Sequence, residues 1–317
     1  MPTATAELDL VGHLTSMAGA LRSFVLAYLV IYKLYTPGEY PAYGAAKELD
    51  WAWIWPIVVR DVAATWCIAG FWDWFLYFSP LKEKLRKFKL NQKYPSTKQF
   101  VHDAGWTTCA SVTAAGVEVL CCYGWCNGWF PAFDAALGDA PWKSALWALT
   151  ITHWRIPHFW LVHRMMHPWR NGLARALGFD PGRFLYRHVH SLHHKSYNPT
   201  AFSGTSMHPV ESTLYYSAAL IALPFGCHPA IALGCIIDCA VGAWLGHDGF
   251  QWPGSGDYFH QLHHAHFDCN YGAMHVPMDK WFGTYVGCKA DLKKIWKKKA
   301  AGMGANETPV HQERKDA

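Results

Sequence analysis

Five stretches of this chain are apolar over lengths close to a bilayer crossing. Residues 10–32 are apolar apart from His13 and Arg22, and residues 51–79 are rich in Trp and Phe around Arg60, Asp61 and Asp73. Residues 104–130 carry Glu118 as their one charge, and residues 143–162 are interrupted by Arg155 and Pro157. Residues 212–246 hold a single Asp, Glu, Lys or Arg, which is Asp238. A helix rises about 1.5 Å per residue, so roughly 20 apolar residues cross the hydrocarbon layer. The last stretch is too long for one helix and short for two. Pro224, Gly226 and Pro229 break its middle, so it predicts a tight helical hairpin. Charges within such segments are costly in lipid and are expected to face the protein interior. The pattern predicts an all-α, polytopic membrane bundle.

Composition agrees. Of 317 residues, 51% are hydrophobic and 16% charged, where soluble proteins carry roughly 25% charge. A mean hydropathy near zero, −0.02, requires a sizeable polar part outside lipid. The net charge of +5 is concentrated. Lys82, Lys84, Arg86, Lys87, Lys89, Lys93 and Lys98 crowd one connection, and Lys289, Lys293, Lys294, Lys297, Lys298 and Lys299 crowd another. Both flank apolar segments, which marks a cytosolic membrane face rather than a nucleic-acid surface. The ten cysteines form no CxxC pair and mostly lie in apolar runs, so they read as small buried hydrophobes. The first ten residues, MPTATAELDL, lack the basic start of a cleaved signal peptide, and the closing RKDA resembles a dibasic retrieval signal of the endoplasmic reticulum.

Histidine supplies the chemistry. His163 and His167 stand in HRMMH, His190, His193 and His194 in HSLHH, and His260, His263 and His264 in HQLHH. On an α-helix, positions i, i+3 and i+4 share one face, so each cluster would aim two or three imidazoles at one point. With the basic loop 80–103 in the cytosol, the stretches 104–130 and 143–162 return the chain to that side, and the hairpin 212–246 leaves and returns. All three clusters then share a face with both basic segments. A single structural zinc takes four ligands, so eight histidines imply two ions. Imidazole suits Zn, Cu, Fe and Ni. Two irons, with zinc as a possible substitute, fit O2 chemistry beside lipid. Metal-bound histidines normally donate their second ring nitrogen to a carboxylate or carbonyl. Glu211, Asp248, Asp257 and Asp279 are the candidates, with Glu211 and Asp279 expected first as the catalytic carboxylates.

HRMMH, HSLHH and HQLHH, followed by NYG (Asn270, Tyr271, Gly272) and MDKWFGT, resemble the fatty acid hydroxylase/sterol desaturase superfamily over residues 145–288. Met278 and Lys280 replace the Trp and Arg of the family's WDR-FGT ending, and ITHWRIPHFW lacks the acid that often precedes the first box. MHPVE at 207–211 and GHDG at 246–249 resemble its sterol-oxidising branches. The resemblance implies a non-haem di-iron centre in the endoplasmic reticulum membrane, its site facing the cytosol. It implies the eight box histidines as ligands with His247 as a ninth, and His208 as a partner outside the ligand set. It divides the chain into membrane-anchoring helices with a basic loop at 1–140, a catalytic domain at 141–288 and a basic tail at 289–317.

The implied reaction is O2-dependent hydroxylation or desaturation of a membrane lipid, a sterol first, by a C-4 methyl oxidase or C-5 desaturase-like activity. Squalene-type epoxidation and fatty acyl or alkyl hydroxylation are alternatives within the family. A membrane metal transporter is the alternative outside it, although transporters place metal ligands near mid-membrane. The sequence holds no GxGxxG or HPGG-type segment, so electrons are expected from a separate cytochrome b5 or NAD(P)H-dependent reductase.

Overall fold

The computed structural model describes residues 10–35, 38–133, 141–252 and 257–288. Among the described residues the regular elements are all helical, and one isolated bridge joins Lys89 to Phe250. The first apolar stretches form α1 (Leu10–Leu29, running on through a π turn at Val30–Leu34), α2 (Trp51–Thr65, followed by helical turns to Phe78) and α3 (Thr97–Cys126). Among the described residues three helical segments are long and apolar enough to cross a bilayer: Leu14–Leu34, Trp51–Phe78 and Thr97–Cys126. Helix α3 begins earlier than its apolar run because the Ser96 hydroxyl accepts from Gln99 N at 3.2 Å. It ends at Asn127, where Gly128 turns left-handed (φ 71°).

The stretch 143–162 departs from the expected single helix. It is divided at Thr150 (φ −97°, ψ 5°) into α4 (Pro141–Leu149) and α5 (Ile151–Met165). The Thr150 hydroxyl bonds back to Leu146 O at 2.7 Å, a local bond that competes with helix continuation. After α6 (Pro181–His188) the expected hairpin appears as α7 (Pro209–Tyr216), a 3-10 run Ser217–Phe225, a left-handed Gly226 and α8 (Pro229–Leu245). Two short helices follow, α9 (Asp257–His266) and α10 (Met278–Trp281).

The bundle exposes large apolar side chains along its long helices. Trp51, Trp55, Val59, Trp66, Phe71 and Trp74 lie bare on one segment, and Leu14, Leu21, Val25 and Leu29 on α1. A soluble monomer rarely shows such a continuous patch, so this surface belongs against lipid. Inside, α1 packs along α8 and α2 along α3. The charges within the apolar stretches turn inward and pair. Arg60 bonds Glu118 and Asp61, and Arg155 bonds Asp238. Asp73 accepts from Ala201 N at 2.7 Å and Phe202 N at 3.1 Å. Asp103 collects the hydroxyls of Ser196, Ser203 and Ser206. Two acids on the long helical segments therefore hold the loop at 196–206 that follows the second histidine cluster.

The basic connection packs on the same end. Leu90 N donates to Gly249 O at 3.0 Å and Gln251 N to Phe88 O at 2.7 Å, which docks this loop against the GHDG segment. The lysines from 289 onward lie outside the described residues. None of the described cysteines is in a disulfide.

Candidate metal centre

The nine histidines named from the sequence converge in two adjoining groups. His163, His167, His190, His194 and His263 form one, and His193, His247, His260 and His264 form the other, each with ring nitrogens within 4.8 Å of one another. None of the nine is more than 9% exposed.

The clusters are not divided as the helical spacing predicts. HSLHH lies in a 3-10 turn, His190–Lys195, not an α-helix. Its His190 and His194 enter the five-histidine group while His193 enters the other. HQLHH does lie on α9, but His260 and His264 share one group and His263 points into its neighbour. On an α-helix i and i+4 differ by about 40° of rotation, whereas i+3 lies on the opposite flank by about 60°. HSLHH and HQLHH thus each straddle both groups, while His163 and His167 stay in one. His163 rides the last turn of α5 and His167 follows just past its end.

Outward hydrogen bonds fix the rings. His163 Nδ1 donates to Tyr271 O (2.6 Å), His193 Nδ1 to Ser206 O (3.3 Å), His247 Nδ1 to Ala243 O (2.8 Å) and His263 Nδ1 to Cys269 O (2.7 Å). A carbonyl only accepts, so in each neutral ring the proton sits on Nδ1 and Nε2 presents a bare lone pair. Burial keeps the rings neutral: it pushes His193 down to about 4 and His247 down to about 3. His193 Nε2 and His247 Nε2 nevertheless face each other at 3.3 Å. His263 Nε2, His264 Nδ1 and both nitrogens of His167 are buried with no hydrogen-bond partner among the described residues. Opposed lone pairs and orphaned buried nitrogens are repulsive or costly by themselves, at about 1–3 kcal/mol for each unsatisfied group. A cation in each group relieves the opposed lone pairs and takes up one nitrogen of each ring, so the donor set fits two metal ions.

His190 differs in its partner. Its Nδ1 meets Glu211 Oε1 at 2.7 Å, and its Nε2 approaches His163 Nε2 and His194 Nε2 at 3.0 Å. Burial pushes the Glu211 carboxyl up to about 8, whereas a neighbouring cation acts in the opposite sense by favouring the carboxylate.

The other acids sit elsewhere. Asp279 bonds no histidine among the described residues. Its oxygens take Tyr271 N (2.9 Å), Gly272 N (2.8 Å), Trp160 Nε1 (3.1 Å) and the Thr284 hydroxyl. It therefore acts one peptide away, holding the strand of backbone whose Tyr271 carbonyl anchors His163. Asp248 takes Trp72 Nε1, Trp252 Nε1 and Phe250 N. The Asp257 side chain lies outside the described residues. His208 caps α7 by accepting from Val210 N at 3.2 Å and joins neither group.

The NYG segment explains itself in this frame. Asn270 adopts the left-handed conformation (φ 55°) that short amide side chains tolerate. Its side chain bonds Phe259 O, Val286 O and Val286 N. A Cβ on Gly272 would stand 3.0 Å from Trp160 Cδ1 and 3.1 Å from Asp279 Oδ2, so only glycine fits without a shift. The carbonyl acceptors at Ser206, Ala243, Cys269 and Tyr271 escape residue-type reasoning, because every residue carries one.

A cavity of about 350 Å³ opens beside His163, His190, His193, His247 and His260. Phe159, Val162, Met166, Met207, Leu245 and Phe259 give it a mostly apolar wall.

The fatty acid hydroxylase family model matches residues 147–284, a span that contains all nine histidines. The chain is 26% identical over 250 residues to a putative Delta(7)-sterol-C5(6)-desaturase 2 of Arabidopsis thaliana, covering 69% of this chain and 75% of the relative. It is 30% identical over 110 residues to a Delta(7)-sterol 5(6)-desaturase of Gibberella zeae, covering 32% and 31%. It is 31% identical over 117 residues to human cholesterol 25-hydroxylase, covering 32% and 42%. The match thus spans less than half of the length of two of these three relatives. No solved structure matches the chain.

Proposed function

Since the chain belongs to the fatty acid hydroxylase/sterol desaturase superfamily, we propose that it is an O2-dependent di-iron oxidoreductase that hydroxylates or desaturates a sterol-type membrane lipid. The observation that carries this reading is two adjoining groups of five and four buried imidazoles at the wall of an apolar cavity in a membrane bundle. The sterol class comes from the relatives, two sterol desaturases and a cholesterol hydroxylase.

In this reading the nine histidines hold two irons. Bound there, the irons would supply the O2 activation that an unactivated C–H bond demands. The protein supplies position and dryness. Glu211 and the four backbone carbonyls hold the outer ring protons and so aim each Nε2 inward. Asp279 keeps Tyr271 in place for His163. The apolar wall sets which carbon lies nearest the centre, and small displacements there change hydroxylation into desaturation or the reverse. Residues 141–288 form the catalytic part and residues 1–140 the anchor.

The orientation follows from the basic loop, which packs at the histidine end; basic loops favour the cytosolic side. We place the enzyme in the endoplasmic reticulum membrane with its site toward the cytosol. A cytochrome b5 or a reductase delivers the electrons. Lys84, Arg86, Lys87, Lys93 and Lys98 are exposed and available to an acidic donor. Replacing these five with Gln is expected to raise the KM for the donor several-fold at low salt and flatten its salt dependence. Unchanged donor kinetics at low salt would rule out docking on this loop.

Expression in yeast strains that each lack one sterol-pathway oxidase tests the reading. Rescue of one strain, or a new oxidised sterol in its lipid profile, is the expected result. Correctly inserted, iron-loaded protein that leaves every sterol unchanged would contradict it.

A further inference from the structure

The histidine groups leave an ion pair of the same cavity unused. Arg155 on α5 and Asp238 on α8 also line it. Arg155 Nε donates to Asp238 Oδ2 at 2.7 Å, and the Ser23 hydroxyl on α1 donates to Asp238 Oδ1 at 3.3 Å. Arg155 is 9% exposed, yet its two terminal nitrogens bond nothing among the described residues. They open onto the cavity, where a ligand can accept from them. Thr15, Ser16, Arg22 and Thr152 also line the cavity, and the rest of the wall is the apolar one already described.

The pair is matched to a particular group. A hydroxyl can accept from a terminal guanidinium nitrogen and donate to the carboxylate at once. A carboxylate ligand would meet the Asp238 charge. The wall is also kept open at this level by Gly242, whose Cβ would stand 3.3 Å from Arg155 Nη2.

The helices provide a ruler. Arg155 precedes His163 by eight residues on α5, about 12 Å of rise. Asp238 precedes His247 by nine residues, about 13 Å, and Gly242, beside the guanidinium tip, by five, about 7 Å. The two helices thus set the pair about 7–13 Å from the histidines.

We propose that Arg155 and Asp238, steadied by Ser23, anchor the hydroxyl of the lipid substrate and so hold the oxidised carbon on the order of 10 Å from that hydroxyl. This rests on the lipid-oxidation reading above and narrows it. A carbon beside the hydroxyl-bearing ring position, such as C-4 methyl or C-5 of a sterol, is not brought to the histidines from this anchor. A carbon at the far end of the ring system or on the side chain is.

The test is equilibrium binding of radiolabelled cholesterol and of its 3-deoxy counterpart, 5-cholestene, to the full-length, metal-loaded protein in nanodiscs. Wild type is expected to prefer cholesterol by about tenfold, the effect of one hydrogen bond to a charged group. The double variant Arg155→Met/Asp238→Leu removes both charges together and leaves neither stranded. It is expected to bind both sterols alike while retaining its metal. Ser23→Ala, a milder change, is expected to lower the same ratio partway and serves if the double variant does not fold. An undiminished cholesterol preference in the folded variants would overturn the anchor. So would wild type binding both sterols without preference, which leaves the lipid-oxidation reading intact. Wild type that binds neither sterol would overturn the anchor and the sterol class together.

Discussion

His263→Ala is expected to abolish product formation and to lower bound iron toward one ion per chain. His263 contributes no surface contact that its loss would disturb; it is fully buried on α9 with Nδ1 held by Cys269 O and Nε2 directed into the five-histidine group. Changes to the outer partners of metal ligands typically cost 10–100-fold in affinity or activity, and removal of a ligand is expected to exceed about 100-fold in turnover. The other group keeps its four rings, so one ion should remain and report a folded protein. His208→Ala is the matching control, because His208 joins neither group. It should keep the full metal content. Iron analysis beside turnover checks both variants. Wild-type activity in His263→Ala would defeat its assigned role.

Asp279→Leu is expected to be the most destabilising single change near the site. The carboxylate is 3% exposed and receives two backbone N–H groups, an indole and a hydroxyl. Leucine satisfies none of them. With unmade buried bonds at about 1–3 kcal/mol each and partial relaxation of the loop, the loss is on the order of 3–5 kcal/mol. Tyr271 would then drift from His163, so metal retention should fall together with the thermal midpoint. Asp279→Asn keeps the shape and one acceptor oxygen, and should fall between Leu and wild type. Thermal unfolding followed with metal content reads both. An Asp279→Leu protein with wild-type midpoint and iron would show that this carboxylate holds nothing the site needs.

Much of this was legible in the chain because burial in lipid and metal ligation leave coarse signatures. Apolar runs gave the helices, and Pro224, Gly226 and Pro229 gave the hairpin its turn. The histidine spacing gave convergence but not its division. In the 3-10 turn of HSLHH and on helical HQLHH alike, the first and fifth histidines enter one group and the fourth the other, a division that needs the positions of the neighbouring elements. The break at Thr150 was hidden for a similar reason, since threonine within an apolar run reads as helix until its hydroxyl is seen bonding backward. Asp279 stood out as an acid near the third cluster, yet its role lies in the backbone amides it collects. Arg155 and Asp238 were legible as inward-facing charges; their shared cavity needed coordinates.

The two-ion centre itself is tested most directly by counting and identifying the metal in protein purified without oxygen and reconstituted with ferrous iron. Iron analysis with X-ray absorption should give two irons per chain in a nitrogen-rich, imidazole-type shell. One iron or none per chain in folded protein, or a shell without imidazole, would contradict the account.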